Sequence, residues 1–254
     1  MMDSEGIICQ LGGAAMTIRR LFTLSGVLML SGANAAVLVS ENFDYADGAL
    51  TDNPAWGSHS GTAGTLPVSG GAALVTQDSG SEDANIGFSP VSSGVLTAEF
   101  DVIVTAPAAM TGTDFEYFAH FYTDGSFNFR SRLDVVAPVA GGDYSFGIAS
   151  GASTAEATLP IDFSFGATVP VSLSFDLDSG IASFSAGGET IQATGVYADE
   201  VLDRFALRQS NSSSDETISV DNLVISGDVA AVPEPSTALL GGLALLGLIR
   251  RRRS

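Results

Sequence analysis

Residues 94–105 read Gly-Val-Leu-Thr-Ala-Glu-Phe-Asp-Val-Ile-Val-Thr. Leu96, Ala98, Phe100, Val102 and Val104 fall at every second position, with Glu99 and Asp101 between them. Successive side chains of a strand point to opposite faces, so this period predicts a strand with one face in a core and the other in water. The same pattern runs outward in both directions. Toward the N-terminus, 38–43, 72–76 and 84–88 read as strands; toward the C-terminus, 115–122, 127–136, 169–177, 181–185, 189–194, 203–209 and 218–225 do. Thr123-Asp124-Gly125-Ser126 and Asp178-Ser179-Gly180 read as hairpin turns, because Asp and Gly suit the tight backbone there. Trp56-Gly57-Ser58-His59 reads as a Gly/Ser-rich loop, with Trp56 plugging one end of the core. No amphipathic helix of three turns is visible, and 197–202 is expected to make one short turn. About a dozen short strands imply two packed antiparallel sheets.

Charge narrows the functions available. All ten basic residues are arginines, and only Arg130, Arg132, Arg204 and Arg208 lie between Ala36 and Ala231. The same span holds twenty-six Asp and Glu, a formal charge of −22. Such a surface repels a phosphate backbone, which excludes nucleic acid as a partner. It favours solubility and tolerates salt and divalent cations. Fifteen phenylalanines and 45% hydrophobic residues argue against disorder. Cys9 is the single cysteine and precedes the predicted processing point, so no disulfide and no lipid-bearing cysteine is expected in the mature chain.

Both ends read as address segments. Arg19 and Arg20, the apolar 21–30 and Ala33-Asn34-Ala35 form an export signal, with cleavage expected after Ala35. Residues before Met16 resemble no targeting element, which makes Met16 a candidate start. At the other end, Pro233-Glu234-Pro235 holds the chain extended. The apolar 237–249 follows, then Arg250, Arg251, Arg252 and Arg253. Thirteen helical residues span about 20 Å, short of the roughly 30 Å hydrocarbon core. The terminal arginines act as a cytoplasmic stop whose long stems reach outward. This tail resembles the PEP-CTERM protein-sorting tail. The resemblance implies an exosortase as processing partner, cutting near Pro233-Glu234-Pro235. It also implies transient anchoring in the inner membrane, release to the outer surface or extracellular matrix, and a bacterial setting of exopolysaccharide and biofilm. The expected division is a signal peptide over 1–35, a domain over 36–228 and a sorting tail over 229–254 with a transmembrane helix at 237–249.

Three stretches of the middle carry a second resemblance: Glu41-Asn42-Phe43-Asp44-Tyr45, Ser174-Phe175-Asp176-Leu177-Asp178-Ser179-Gly180 and Val220-Asp221-Asn222-Leu223-Val224-Ile225. Together they resemble the concanavalin A-like (lectin/glucanase, laminin-G-like) jelly roll. That implies an all-β, two-sheet antiparallel jelly-roll sandwich with its first and last strands side by side.

Candidate chemistry is sparse. Jelly-roll glucanases of this kind place Glu-x-Asp-x-x-Glu on one strand for acid/base work. Here Glu99 and Asp101 supply two carboxylates and the third is missing, so no enzyme activity is expected. His59 and His120 are the only histidines, and no nucleophile triad, paired-histidine metal site or phosphate loop accompanies them. No cofactor is required. Calcium is the candidate metal, through Asp176, Asp178, Asp221 and Asn222 at strand ends; the bland alternative is turns made with Asp and Gly. In the 115–136 hairpin, strict alternation puts Glu116, Phe118, His120 and Tyr122 on one face with Asn128, Arg130, Arg132 and Asp134. Phe115, Tyr117, Ala119 and Phe121 share the other face with Phe127, Phe129, Ser131 and Leu133. Phe118, His120, Tyr122, Arg130 and Arg132 are thus the candidate ligand face, stacking sugars and holding acidic ones by arginine. The plainer alternative is that the arginines balance Glu116 and Asp134 across strands. Arg204 and Arg208 lie on the outer face of 203–209, where they either join that patch or stand apart from it. The expected role is a structural or adhesive surface protein associated with exopolysaccharide. A carbohydrate-binding lectin-like module is the second reading, and a polysaccharide-degrading hydrolase or lyase the third.

Overall fold

The computed structural model describes residues 35–76, 81–209 and 214–228, and within them the apolar alternation closes into sixteen strands. In chain order these are β1 (Ala35–Glu41), β2 (Gly48–Ala49), β3 (Trp56–Gly61), β4 (Pro67–Ser69), β5 (Ala72–Thr76), β6 (Glu82–Val91), β7 (Val95–Thr105) and β8 (Phe115–Tyr122). There follow β9 (Phe129–Val136), β10 (Ser145–Ala149), β11 (Ala157–Thr158), β12 (Thr168–Asp176), β13 (Ile181–Ala186), β14 (Glu189–Val196), β15 (Leu202–Arg208) and β16 (Thr217–Asp228). One nine-stranded sheet runs β14-β13-β12-β7-β16-β5-β4-β2, with β1 also paired to β16. A seven-stranded sheet runs β11-β10-β9-β8-β15-β6-β3. Every pairing is antiparallel.

The alternation in 94–105 does what its period requires. Leu96, Ala98, Phe100, Val102 and Val104 are buried, and Glu99 and Asp101 face outward. Phe100 meets Phe205 of the facing sheet edge to face at 5.9 Å, and Phe146 meets Phe184 across the same gap at 5.4 Å. Such aromatic pairs add about 0.5–1.5 kcal/mol each beyond their buried area. The first and last strands lie side by side as expected, Ala35 opposite Asp228 and Glu41 opposite Leu223.

The N-terminal turn is closed by a carboxylate. Glu41 accepts from the Phe43 amide at 2.7 Å, from the Trp56 indole at 3.1 Å and from the Tyr45 hydroxyl. Phe43 takes a left-handed φ of 52° so that its ring turns into the core beside Trp56. The Glu-Asn-Phe-Asp-Tyr stretch and the end-plugging Trp56 are therefore one structural unit.

Some expectations were not met. Residues 56–61 form the edge strand β3 rather than a loop. Pairing with β6, not apolar alternation, holds them, and the Asn85 amide reaches back to the Gly57 carbonyl at 3.0 Å. Gly61 is obligatory there: its φ is +79°, and a Cβ would lie 1.7 Å from the Ser81 carbonyl oxygen. Strand β10 has no alternation because all five of its residues are buried. Residues 197–202 form no helical turn; Leu202 opens β15, and Leu50–Asp52 makes a single 3-10 turn instead. Among the described residues no helix is long and apolar enough to cross a membrane; the apolar 237–249 lies outside them.

Candidate functional site

Strands β8 and β9 are buried on both faces, so the outer side of the seven-stranded sheet is not a plain solvated surface. Two irregularities set what points where. Tyr117 pairs with Asp134 but Ala119 pairs with Leu133, which leaves Phe118 as an extra residue in β8. Phe121 then pairs with Arg130, so β9 carries an extra residue in turn. Ser131 accommodates it with a φ of 47°, its hydroxyl donating to the Ser174 carbonyl of the other sheet at 2.7 Å. A bulge of this kind re-aims every side chain beyond it.

The result is a cleft of about 770 Å³ on that outer face. Tyr117, His120, Tyr122 and Phe129 form its floor, and His59, Phe115 and Phe127 stand around it. The rings are in mutual contact. His120 lies 5.1 Å from Tyr117 and 5.4 Å from Tyr122, while His59 lies 4.4 Å from Tyr122 and 5.0 Å from Phe127. Phe115 is 39% exposed and Phe127 77% exposed, one at each end of the hairpin. Arg132 and Arg208 flank Tyr117 from β9 and β15, their guanidiniums 4.6 and 4.9 Å from its ring centre. Arg132 donates to Asp134 through Nε at 2.8 Å and Nη2 at 2.7 Å, and to the Ala152 carbonyl at 3.0 Å. Arg208 Nε lies 3.4 Å from Asp83, whose other oxygen accepts from Ser60 at 2.7 Å.

Burial sets the protonation states. His120 is pushed down to about 3, first by loss of solvent and then by Arg208, His59 and Arg132, so its imidazole is neutral. Its Nδ1 is enclosed and has no hydrogen-bond partner among the described residues, and the Tyr122 hydroxyl is in the same position. Burial raises Tyr117 and Tyr122, which stay protonated. Burial also pushes Asp134 up to about 6 against the pull of Arg132, and raises Asp83.

The candidate ligand face is therefore only partly assembled. His120, Tyr122 and Arg132 stand together in the cleft. Phe118 does not: the extra residue in β8 turns it into the core, where it is fully buried. Arg130 does not either. The bulge turns it away to Glu200, which accepts from its Nε at 3.0 Å and from its Nη2, and it packs over Tyr197 at 3.9 Å. Tyr117 and Phe129, assigned to the opposite face by strict alternation, belong to the floor. Of the two later arginines left open, Arg208 joins the patch; Asp83 and His59 were missed as site residues, since they come from strands distant in sequence. Arg204 lies apart, paired with Asp124 at 3.0 Å. Asp134 balances Arg132 along β9 rather than across strands, and Arg130 takes Glu200 as its partner, so the plainer alternative holds in charge but not in its cross-strand geometry.

The calcium candidates fall into two separate places. Asp176 lies opposite Val95 and Asp221 opposite Asp101, six residues apart on β7, or roughly 20 Å. Asp176 accepts from the Asp178 and Ser179 amides, a turn rather than a cage. The Asn222 amide is committed to Asp101 at 2.9 Å. Among the described residues, no three His, Cys, Asp or Glu side chains group so as to hold a metal. Glu99 and Asp101 point out from the other sheet, away from the cleft. Met16, Ala33, Pro233, Glu234, Pro235 and Arg250 to Arg253 lie outside the described residues, while Ala35 begins β1.

Comparison with known proteins adds two findings. The PEP-CTERM protein-sorting motif matches residues 231–253. Among solved structures the chain is similar to a sialidase, with a TM-score of 0.53 and 14% identity over 76% of this chain and 19% of that one. It is similar to lectin II from Ulex europaeus, with a TM-score of 0.50 and 14% identity over 76% of this chain and all of that one. Peanut lectin also has a TM-score of 0.50, at 13% identity over 78% of this chain and all of that one. No curated protein matches. The described domain thus has the concanavalin A-like jelly-roll fold of the legume lectins. The chain bears a PEP-CTERM motif, which implies export, C-terminal anchoring in a membrane and processing by an exosortase.

Proposed function

We propose that the protein is a surface or extracellular-matrix component with an adhesive role in exopolysaccharide, and that it holds saccharide in the cleft over β8 and β9. The tail supplies the address and the cleft supplies the grip. The observation that carries this reading is Phe127, a large aromatic ring left 77% exposed at the rim of an aromatic-floored cleft. A sugar ring presents an apolar face that stacks on such a surface, while its hydroxyls find paired donors and acceptors beside it. Catalysis forms no part of this reading; the carboxylates expected to carry it, Glu99 and Asp101, do not line the cleft.

The test combines location with binding. Cell fractionation should find the mature chain at the surface or in the matrix, and the recovered protein should bind on a glycan array. A chain confined to the cytosol removes the sorting half of the reading; a surface protein silent on every glycan removes the binding half.

A further inference from the structure

The saccharide-binding reading leaves open the class of sugar, and the charges of the cleft bear on it. One cross-strand row runs from β9 to β3: Arg132 with Asp134, then Tyr117, then Arg208 with Asp83, then Ser60. Each guanidinium that faces Tyr117 has its own carboxylate, so the row contains no surplus positive charge. The rest of the floor is uncharged, with two protonated phenols and a neutral imidazole. Asp114 and Glu116 also line the cleft, and among the described residues no arginine beyond Arg132 and Arg208 does. The whole span 36–231 carries −22. A polyuronate or sulfated chain entering here finds no surplus positive charge in the cleft and net repulsion from the body.

An uncharged sugar meets none of that. Phe127 and Phe115 offer apolar faces at the two ends of the hairpin. The Arg208–Asp83 pair offers a donor and an acceptor side by side, which suits a hydroxyl that both gives and takes a hydrogen bond.

We infer that the cleft selects uncharged saccharides and excludes acidic ones, its two arginines serving as charge-balanced hydrogen-bond donors rather than as anion clamps. This rests on the saccharide-binding reading above.

The experiment is native affinity electrophoresis of the surface-recovered protein. Gels contain galactomannan, xyloglucan or mixed-linkage glucan as uncharged polymers, and alginate or polygalacturonate as acidic ones. The expected result is retardation by at least one uncharged polymer and none by the acidic pair. Phe127→Ala removes an exposed ring and should weaken retention by about three- to tenfold with the fold intact. Asp83→Asn keeps the shape but frees Arg208 of its counter-charge, and should bring acidic polymers into measurable retention. Retardation by acidic polymers alone overturns the inference and leaves saccharide binding standing. Retardation by none of the polymers overturns both. Retention on an uncharged polymer that a folded Phe127→Ala variant does not weaken overturns the cleft as its seat.

Discussion

Replacing His120 with leucine should remove an acid sensitivity built into the cleft floor. The imidazole is enclosed by Tyr117, Tyr122 and Phe129, with Arg132, Arg208 and His59 as the nearby charged or titratable groups. It titrates at about 3 in the folded chain against 6.5 when exposed. The unfolded chain therefore binds a proton that the folded chain refuses between those values, and stability falls as pH drops below 6.5. Each pH unit in that window is worth about 1.4 kcal/mol. Between pH 7.5 and pH 4.5 the native chain should thus lose about 3 kcal/mol more than the variant, a large share of a typical 5–15 kcal/mol. Asp134 works the other way. Its folded value of about 6 lies above the unfolded one, so its burial costs stability above pH 6 and the cost is relieved on acidification. Because that contribution is common to both chains, the difference between their profiles isolates His120. Urea titrations followed by the fluorescence of Trp56, the single tryptophan, supply the profiles. At pH 7.5 the two chains should agree within about 1.5 kcal/mol, since leucine is close in volume and the Nδ1 of His120 has no hydrogen bond to lose among the described residues. Parallel profiles from pH 7.5 to 4.5 would refute a neutral, enclosed imidazole.

Asp134→Ala strips Arg132 of the acceptor for two of its N–H groups inside the protein, and should cost about 3–5 kcal/mol in urea unfolding at pH 7. A loss below about 1 kcal/mol would mean that the pair is solvated. Ser131→Gly should be nearly neutral despite the lost hydroxyl bond, because glycine adopts φ 47° freely; Ser131→Val should cost about 2 kcal/mol or more. Equal stability of the two variants would contradict the bulge. Calcium at millimolar level should leave the thermal midpoint unchanged, since Asp176 and Asp221 stand roughly 20 Å apart. A rise of several degrees would show that the oxygen ligands converge after all.

The sheets were legible because water acts on one face of each strand. Wherever one face is core and the other solvent, as in 94–105, the period of two is written directly into residue type. The same rule failed at the cleft for a physical reason. There both faces of β8 and β9 are buried, so Phe118 and Tyr117 look alike in sequence although one packs in the core and the other lines the site. The residue that resets the register, Ser131, is no strong signal for a left-handed backbone. A polar, positive-φ position between two arginines is visible only once the pairing is known. Long-range charge pairs were equally hidden: Arg208 and Asp83 meet because β15 and β6 are neighbours, more than a hundred residues apart in the chain. The tail was legible for the opposite reason. Its proline–acid–proline, apolar run and arginine cluster are read by other proteins and by a membrane as a linear string, and they need no fold to be recognised.

The chain's two histidines both line the cleft, so their ring carbon–proton NMR signals are private reporters on it. Titrating a bound oligosaccharide into the surface-recovered protein should shift the His59 signals strongly and the His120 signals measurably, in step with retention. Binding that leaves both histidines unmoved would place the sugar elsewhere and contradict the account.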